Sequence, residues 1–329
     1  MVIQDQGVAV DEKIDFIIEH EDYGIRLDVI LSKHLSISRS FAARLIDEGR
    51  VMVEGSMRRP SFKIKDGMRV QGSYSTMEEG LPLKACEIPL DVIYEDQWII
   101  VINKPAGLTV HPGAGNVDGT LVNALLARYP QISSVGDPDR PGIVHRLDKL
   151  TSGVMVVARS SDSHAILANA FKVHEHRRKY MAICYGHMPQ IQGTIETFIQ
   201  RNPRDRKRMT SRADKGRRAV THWEVIKQWM GFSLLLLTLQ TGRTHQIRVH
   251  LSDMGHPVVG DAQYGGRRRA NSIEDPLLQS YMKALDRQML HAFTLGITHP
   301  ITNEQMEFKS EMPGDMNQVI RMLDERDPC

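Results

Sequence analysis

The stretch Val144-His145-Arg146-Leu147-Asp148-Lys149-Leu150-Thr151-Ser152-Gly153 places a carboxylate among basic side chains, directly before an apolar segment. The apolar run Gly153–Arg159 is typical of a buried strand. Asp148 then has two interpretations that the local pattern does not separate. It is either a structural residue that caps the turn at Thr151-Ser152-Gly153, or a functional carboxylate.

Three further segments concentrate polar groups beside glycine. They are Asn103–Leu108 with Val110–Gly113, Arg178–Ala182, and Leu239–His250, which continues through Gly255–Pro257 to Gly260–Gly265. Between them, apolar strand patterns alternate with a few helices, and no regular βαβ repeat is visible. The pattern predicts an α+β fold.

The length of 329 residues indicates two or three domains. We expect a disordered lead-in at residues 1–13 and a small α/β unit at 14–75. A stretch at 76–89 with Gly80, Pro82 and Pro89 is predicted to be a linker, and a second domain is expected at 90–329.

The small unit combines helical spacing around Arg26–Leu35 with a helix start at Ser38-Arg39-Ser40 and a strand at Val51–Val53. This pattern resembles the RNA-binding domain shared with small-subunit ribosomal protein S4. Its basic side chains, including Arg39 and Arg44, are predicted to bind RNA phosphates. A merely solvated helical face is the alternative.

The strongest charge cluster lies between Gln200 and Arg218, although the whole chain has a net charge of only +2. Nine basic residues face two acidic ones there, which is unusual for a solvated loop. We interpret it as a mobile hairpin or loop that grips the RNA backbone. The residues predicted to bind are Arg201, Arg206, Lys207, Arg208, Arg217 and Arg218.

Other classes of protein are disfavoured by what the sequence lacks. The three cysteines are widely spaced and show no metal-ligand pattern, so no metal site is predicted. The apolar run at 234–237 is too short to cross a membrane, and residues 1–13 do not form a signal peptide. Free thiols fit a reducing compartment, so the sequence indicates a cytoplasmic protein. No loop of nucleotide-binding type is present, and no cofactor is predicted.

The four polar segments, in this order, resemble the ribosomal large-subunit pseudouridine synthases of the RluA type. The resemblance covers about residues 90–316 and includes Arg287–Ala292 and His299-Pro300-Ile301. With the S4-like unit, it is closest to the D-type branch. It implies a mixed, mainly antiparallel central sheet with flanking helices. The implied activity is cofactor-free isomerisation of uridines in the intersubunit stem-loop of large-subunit ribosomal RNA.

The resemblance implies three catalytic residues. Asp148 would be the catalytic carboxylate, and Arg248 the cation that pairs with it. Tyr180 would stack on the target base. The structural alternatives are a phosphate contact or surface ion pair for Arg248 and a core position for Tyr180.

Four neighbours of these residues are predicted to contact the RNA. Leu147 and Ile247 would line the pocket. Because the target uridine must leave its stack, Arg146 would fill the vacated space, since guanidinium stacks on bases. His145 would support Arg146.

Three alternative functions stay open. The chain could be a non-catalytic RNA-binding factor for ribosome assembly, a synthase of the same family for transfer RNA or another ribosomal site, or a hydrolase that breaks the same first bond. The predicted partner is large-subunit ribosomal RNA or a pre-ribosomal particle, without a membrane, and the expected state is a monomer.

Overall fold

The structure is a computed structural model that describes residues 11–37, 39–75, 83–112, 118–212 and 215–327. The chain divides into two compact units. The first comprises the chain up to Ala85 together with Asp137–Pro141, and the second comprises Cys86–Gly136 and the chain from Gly142 onward. Each unit buries its own hydrophobic core. Residues 83–89, the described part of the expected linker, form no helix or strand.

The N-terminal unit packs two helices against an antiparallel sheet. Its elements are β1 (Asp11–Ile17), α1 (Leu27–Leu35), α2 (Arg39–Asp47), β2 (Val51–Val53), β3 (Ser56–Met57) and β4 (Arg69–Ser75). The strands pair in the order β1-β4-β2-β3. Leu27, Leu31 and Leu45 are buried from the helices with apolar residues of the strands, as expected from their helical spacing.

Strand β1 begins at Asp11, whereas a disordered lead-in was expected at residues 1–13. Residues 1–10 lie outside the described part of the chain, but residues 11–13 open a strand that pairs with β4, with Ile14 opposite Gly72. Ile14 is buried, whereas its neighbours Lys13 and Asp15 are exposed. Such alternation fits an edge strand with a charged outer face. The density of charge obscured this alternation in the sequence.

Within the described ranges, the larger unit contains a ten-stranded sheet. Its strands are β5 (Val92–Glu95), β6 (Ile99–Lys104), β7 (Ser152–Ala158), β8 (Arg177–Tyr185), β9 (Gln192–Arg201), β10 (Met209–Thr210), β11 (Arg217–Trp229), β12 (Phe232–Leu239), β13 (Leu290–Thr298) and β14 (Gln305–Lys309). The order is β10-β9-β11-β12-β8-β13-β7-β6-β5, with β14 beside β13. The β13–β7 pair is parallel and the other described pairs are antiparallel. The predicted fold class is confirmed.

Helices of the larger unit pack beside this sheet. They are α3 (Leu121–Arg128), α4 (Ser161–Val173), α5 (Gln246–Asp253), α6 (Gly266–Arg269), α7 (Pro276–Ala284) and α8 (Gly314–Asp324). Ser160 caps α4 by accepting from the backbone N–H of Ser163, and Asp275 caps α7. Among the described helices, none has the length and apolar character needed to span a membrane.

The parallel pairing of β13 with β7 requires a glycine. Gly153 lies opposite Ala292 in this pair and has a φ of 118°. A Cβ atom at this position would lie 2.1 Å from the carbonyl oxygen of Ala292. Only glycine permits so close an approach of the two backbones. The Thr-Ser-Gly sequence after Asp148 therefore serves the contact between these strands.

Candidate active site

One pocket of the larger unit brings together residues from three of the polar segments. The residues predicted from the sequence that line it come from the loop before β7, from β8 and from the start of α5: Arg146, Leu147, Asp148, Tyr180, Ile247 and Arg248. The fold thus places Asp148 and Arg248, which lie 100 residues apart in the sequence, around one cavity.

Asp148 lies in a turn before β7 and faces this pocket. The turn is closed by its main chain, because the N–H of Thr151 donates to the Asp148 carbonyl at 3.0 Å. Among the described residues, no backbone N–H donates to the carboxylate, and the side chain is 21% exposed. The carboxylate is therefore not used as a turn cap.

Arg248 binds two carboxylates at once. Its Nη1 donates to Asp148 Oδ2 at 2.9 Å, while its Nε and Nη2 donate to the two oxygens of Asp261 at 2.7 and 3.1 Å. Burial opposes the charged form of Arg248, but the hydrogen bonds and charges of Asp261 and then Asp148 outweigh burial and raise its pKa. The guanidinium is thereby fixed as a cation beside Asp148.

Asp261 was not assigned a role by the sequence analysis, although it lies in the fourth polar segment. It is fully buried, and its Oδ1 also accepts from the backbone N–H groups of Gln263 and Tyr264 at 2.9 and 3.1 Å. These hydrogen bonds orient the Asp261 carboxylate towards Arg248. The signal in the sequence was its position between Gly260 and Gly265, but the pattern did not identify its partner.

Tyr180 is buried on β8, and its ring lines the pocket. Its hydroxyl makes no hydrogen bond to any residue that the structure describes. Burial raises the pKa of Tyr180; Arg178 opposes this effect and Asp148 adds to it. The hydroxyl therefore stays protonated at neutral pH and can donate a hydrogen bond.

His245 lies beside Asp148 and has an uncommon backbone conformation. It has a φ of 55°, in the left-handed region, immediately before α5. Its Nδ1 lies 2.7 Å from the hydroxyl of Tyr264, and its Nε2 lies 3.9 Å from Asp148 Oδ1. Burial lowers the pKa of His245 despite the opposing charge of Asp148. A neutral imidazole beside the carboxylate is thus held in place by Tyr264.

A fully buried lysine from the first polar segment supports the loop that carries Asp148. The Nζ of Lys104 donates to the carbonyls of Pro105, Leu108 and Lys149 at 2.8, 2.9 and 3.2 Å. Burial lowers the pKa of Lys104 to about 7, and the charge of Asp148 opposes this shift. Three carbonyl acceptors match the three donors of an ammonium group. Lys104 therefore connects the first segment to the residue after Asp148.

The other predicted neighbours have separate positions. Leu147 and Ile247 are buried in the pocket wall, whereas Arg146 is exposed. His145 is not part of the pocket lining: its ring stacks on Phe171 with centroids 4.4 Å apart, and its Nε2 accepts from the N–H of Val156 at 3.1 Å. These contacts anchor the segment that presents Arg146.

The basic segment at 200–218 includes a hairpin formed by β9 and β10, and a hairpin was one of the two forms expected for it. Arg201 ends β9 and is paired with Met209 of β10, while Arg217 and Arg218 begin β11. Arg218 donates to Glu196 at 2.6 Å. Residues 213–214 lie outside the described part of the chain. Three of the nine basic residues, Arg201, Arg217 and Arg218, therefore lie in strands, and the other six lie outside them.

The turn between β9 and β10 connects this segment to the site. Arg206 and Lys207 are exposed in that turn. Arg208 lies over the ring of Tyr264 at 5.2 Å, and the hydroxyl of Tyr264 accepts from the N–H of Met209 at 2.8 Å. The position of the turn is thereby linked to the residue that holds His245.

In the N-terminal unit, both arginines predicted to bind RNA have protein contacts. Arg39 donates to buried Asp28 at 3.0 Å, beside a second arginine, Arg26. Arg44 lies over the ring of Phe41 at 4.8 Å. Burial raises the pKa of Asp28, but the hydrogen bonds from Arg26 and Arg39 outweigh it, and the net shift is downward. The side chain of Arg39 stays about half exposed.

The arrangement is suited to chemistry at a sugar carbon. A carboxylate paired with an arginine can attack an electrophilic carbon or stabilise positive charge on it. The apolar wall and the tyrosine ring offer a surface for a planar base. Among the described residues, no cluster of histidine, cysteine and acidic side chains has the geometry to hold a metal ion.

Comparison with known families gives two matches. The pattern of the family described as RNA pseudouridylate synthase matches residues 98–253, which include Asp148, Tyr180 and Arg248. The pattern of the S4 domain matches residues 25–70. The S4 match lies within the first compact unit, and the synthase match lies within the second except for Asp137–Pro141.

Similarity to two bacterial proteins covers nearly the full chain, and similarity to a solved human structure covers most of it. The ribosomal large subunit pseudouridine synthase D of Zymomonas mobilis is 43% identical, over 92% of this chain and 95% of its own. The protein of that name from Escherichia coli K12 is 41% identical over 93% of each. Human RNA pseudouridylate synthase domain containing 4 superimposes with a TM-score of 0.54 at 26% identity, over 71% of this chain and 92% of its own.

Proposed function

Because this chain belongs to the RNA pseudouridine synthase family and is similar to its D-type members for ribosomal RNA, we propose that it isomerises uridines in large-subunit ribosomal RNA with Asp148 as the catalytic carboxylate. The target that we propose is the intersubunit stem-loop. The observation that carries the proposal is the contact of Asp148 with Arg248 in the pocket that also contains Tyr180.

The reaction exchanges one bond to the sugar for another. The bond between N1 of uracil and C1′ breaks, the base rotates, and C5 joins C1′ while the proton on C5 is released and N1 gains one. Nothing is oxidised and no group is donated, so the chemistry needs no cofactor. Asp148 supplies negative charge at C1′, as nucleophile or as electrostatic partner. Arg248 orients the carboxylate for this purpose.

Tyr180 holds the uracil during this rotation. Its ring forms part of the pocket wall, and its protonated hydroxyl is available to the base. Leu147 and Ile247 add buried apolar side chains to the wall. Stacking tolerates rotation of a planar base because it imposes few directional contacts. The three side chains thus confine the detached uracil without fixing its orientation.

The uridine must be extruded from its helix to reach the pocket. Arg146 is exposed at the pocket mouth and follows the anchored ring of His145. We assign to Arg146 the space that the uridine leaves. The S4-like unit and the basic segment at 200–218 bind the RNA backbone.

The test is tritium release from large-subunit ribosomal RNA transcripts labelled at C5 of uridine. The wild-type protein is expected to release tritium, and Asp148→Asn to release none while its affinity for the transcript stays within about twofold. Asp162→Asn is the matched control, because Asp162 is exposed in the first turn of α4. Turnover by Asp148→Asn at the rate of the control would reject the catalytic role of Asp148.

Two further measurements separate the alternatives. Release of free uracil would indicate a hydrolase, and binding without tritium release by the wild type would indicate a non-catalytic factor. Mapping of pseudouridines in ribosomal and transfer RNA from cells that lack the protein identifies the uridines. Loss confined to the large-subunit stem-loop is the expected result.

A further inference from the structure

Arg178 is a buried cation without a protein anion. It lies on β8, two residues before Tyr180, and only 8% of it is exposed. Its guanidinium lies 5.9 Å from the centroid of the Phe171 ring, and its Nε is buried without a hydrogen-bond partner. Among the described residues, no carboxylate forms an ion pair with it. The mechanism described above leaves this side chain unused.

An unpaired charge in such a place is costly. Guanidinium does not deprotonate in proteins, so it cannot avoid the cost by becoming neutral, and buried charges are normally paired. Burial lowers the pKa of Arg178, with Tyr180 opposing and Arg243 adding to this shift. A ligand anion would supply the missing partner.

Arg178 is directed towards the pocket that contains Asp148. Alternate strand residues point to the same face, and both Arg178 and Tyr180 line that pocket. Four arginines in the lining face a single carboxylate, Asp148. One of them, Arg248, is already shared between Asp148 and Asp261. The remaining excess of positive charge favours an anionic ligand.

Gly242 leaves room for the guanidinium of Arg178. It is exposed, and its φ is not in the left-handed region, so its backbone does not require glycine. A Cβ atom there would lie 2.6 and 2.8 Å from Nη1 and Nη2 of Arg178. The guanidinium of Arg178 therefore packs closely against the backbone of Gly242, and a side chain there would displace it from its position in the pocket lining.

We propose that Arg178 forms a phosphate subsite, which binds an RNA backbone phosphate next to the target uridine. This inference rests on the proposed function. Tyr180 and Arg178 are about 7 Å apart along the strand, so a base on Tyr180 and a phosphate on Arg178 would be separated by one sugar. The subsite holds the flipped nucleotide by its backbone while the base is detached. Guanidinium N–H groups form charge-assisted hydrogen bonds to phosphate oxygens.

The test replaces single phosphates by neutral methylphosphonates in a stem-loop oligonucleotide that carries a mapped target uridine. Neutralising the phosphate on the 5′ or the 3′ side of that uridine is expected to lower kcat/KM of the wild type about 10- to 100-fold. Because this comparison uses the wild type, it does not depend on the folding of a variant. A methylphosphonate six nucleotides away is the control in the RNA.

The protein side of the test uses Arg178→Gln and Arg178→Lys. With the unmodified oligonucleotide, kcat/KM of Arg178→Gln should be about 10- to 100-fold lower than that of the wild type. Introducing the methylphosphonate should then lower kcat/KM of this variant by less than about threefold. Arg178→Lys should keep part of the sensitivity because it retains the charge. Arg177→Gln is the matched control, since Arg177 is exposed and adjacent on β8, and it should respond as the wild type does.

The outcomes distinguish the subsite from the proposed function. A wild type that releases tritium but tolerates both methylphosphonates overturns the subsite alone. Equal losses in the wild type and in Arg178→Gln also overturn it, because they assign the phosphate to another residue. A wild type that modifies no ribosomal uridine overturns the proposed function and the subsite with it.

Discussion

Arg248 Nη1 donates to Asp148 Oδ2 at 2.9 Å, while the opposite edge of the same guanidinium holds fully buried Asp261. One cation therefore serves two carboxylates, of which only Asp148 faces the pocket. Asp261 determines where the cation lies, and the cation determines where Asp148 lies. Asp261 is thus a positioning residue for the proposed catalytic carboxylate.

The first prediction concerns Asp261→Asn. The amide preserves the shape but removes the charge that holds Nε of Arg248, so we expect kcat to fall about 10- to 100-fold, as when outer partners of functional ligands are removed. KM should change little because Asp261 does not contact the pocket. Steady-state tritium release measures both constants, with circular dichroism to verify folding. Unchanged kcat in a folded variant would reject the positioning role.

The second prediction concerns Lys104→Met. Removal of the ammonium leaves the carbonyls of Pro105, Leu108 and Lys149 without this donor, at about 1–3 kcal/mol for each group that stays buried and unsatisfied. We expect the free energy of unfolding to fall by about 2–5 kcal/mol in urea titrations. Lys172→Met, on the exposed face of α4, is the control. Equal stability of the two variants would contradict this account.

The third prediction concerns acid stability. His250 is fully buried between the hydroxyls of Thr221 and Thr197, and burial lowers its pKa from 6.5 to about 4. The unfolded chain therefore binds the proton first as the pH falls. The free energy of unfolding is therefore expected to fall by an amount on the order of 3 kcal/mol as the pH decreases from about 6.5 to about 4.

His250→Gln should flatten this pH dependence in urea unfolding measured from about pH 7 to about pH 4. The quantity to compare is the slope of the free energy of unfolding against pH, because the substitution also changes stability at neutral pH. His222→Gln, which alters an exposed histidine, is the control. An unchanged slope in His250→Gln would show that other groups cause the acid sensitivity.

The fourth prediction concerns the S4-like unit. Deletion of residues 1–75 is expected to leave a folded catalytic unit, because that unit has its own core. It should weaken RNA binding and reduce the slope of log K against log salt by about 0.7–0.9 for each lost phosphate contact. Filter binding at several salt concentrations tests this. The same slope with and without the unit would argue against its role in RNA binding.

The sequence predicted those parts of the fold and site that local patterns encode. Helical spacing predicted α1, and the apolar run Gly153–Arg159 predicted β7, because burial leaves a recognisable pattern of apolar residues. The motif at Asp148 identified its loop through resemblance. Strand β1 escaped prediction because its outer face is charged. Such errors arise where tertiary pairing, rather than local composition, stabilises a strand.

Partners in the site were harder to predict than the residues themselves. The contact of Arg248 with Asp261 depends on how the chain after α5 returns to that helix, and no local pattern encodes it. The role of Lys104 was likewise hidden, because a lysine at the end of a strand is usually solvated. Only the three-dimensional structure shows that it is fully buried and bonded to three carbonyls.

The position of β13 has a consequence for protein synthesis. Asp148 precedes β7 and Tyr180 lies on β8, but these strands are not neighbours, because β13 lies between them. A nascent chain that has not yet reached Leu290 can form neither pairing of this strand. The carboxylate and the tyrosine are therefore expected to reach their final separation only after β13 has been synthesised, late in translation.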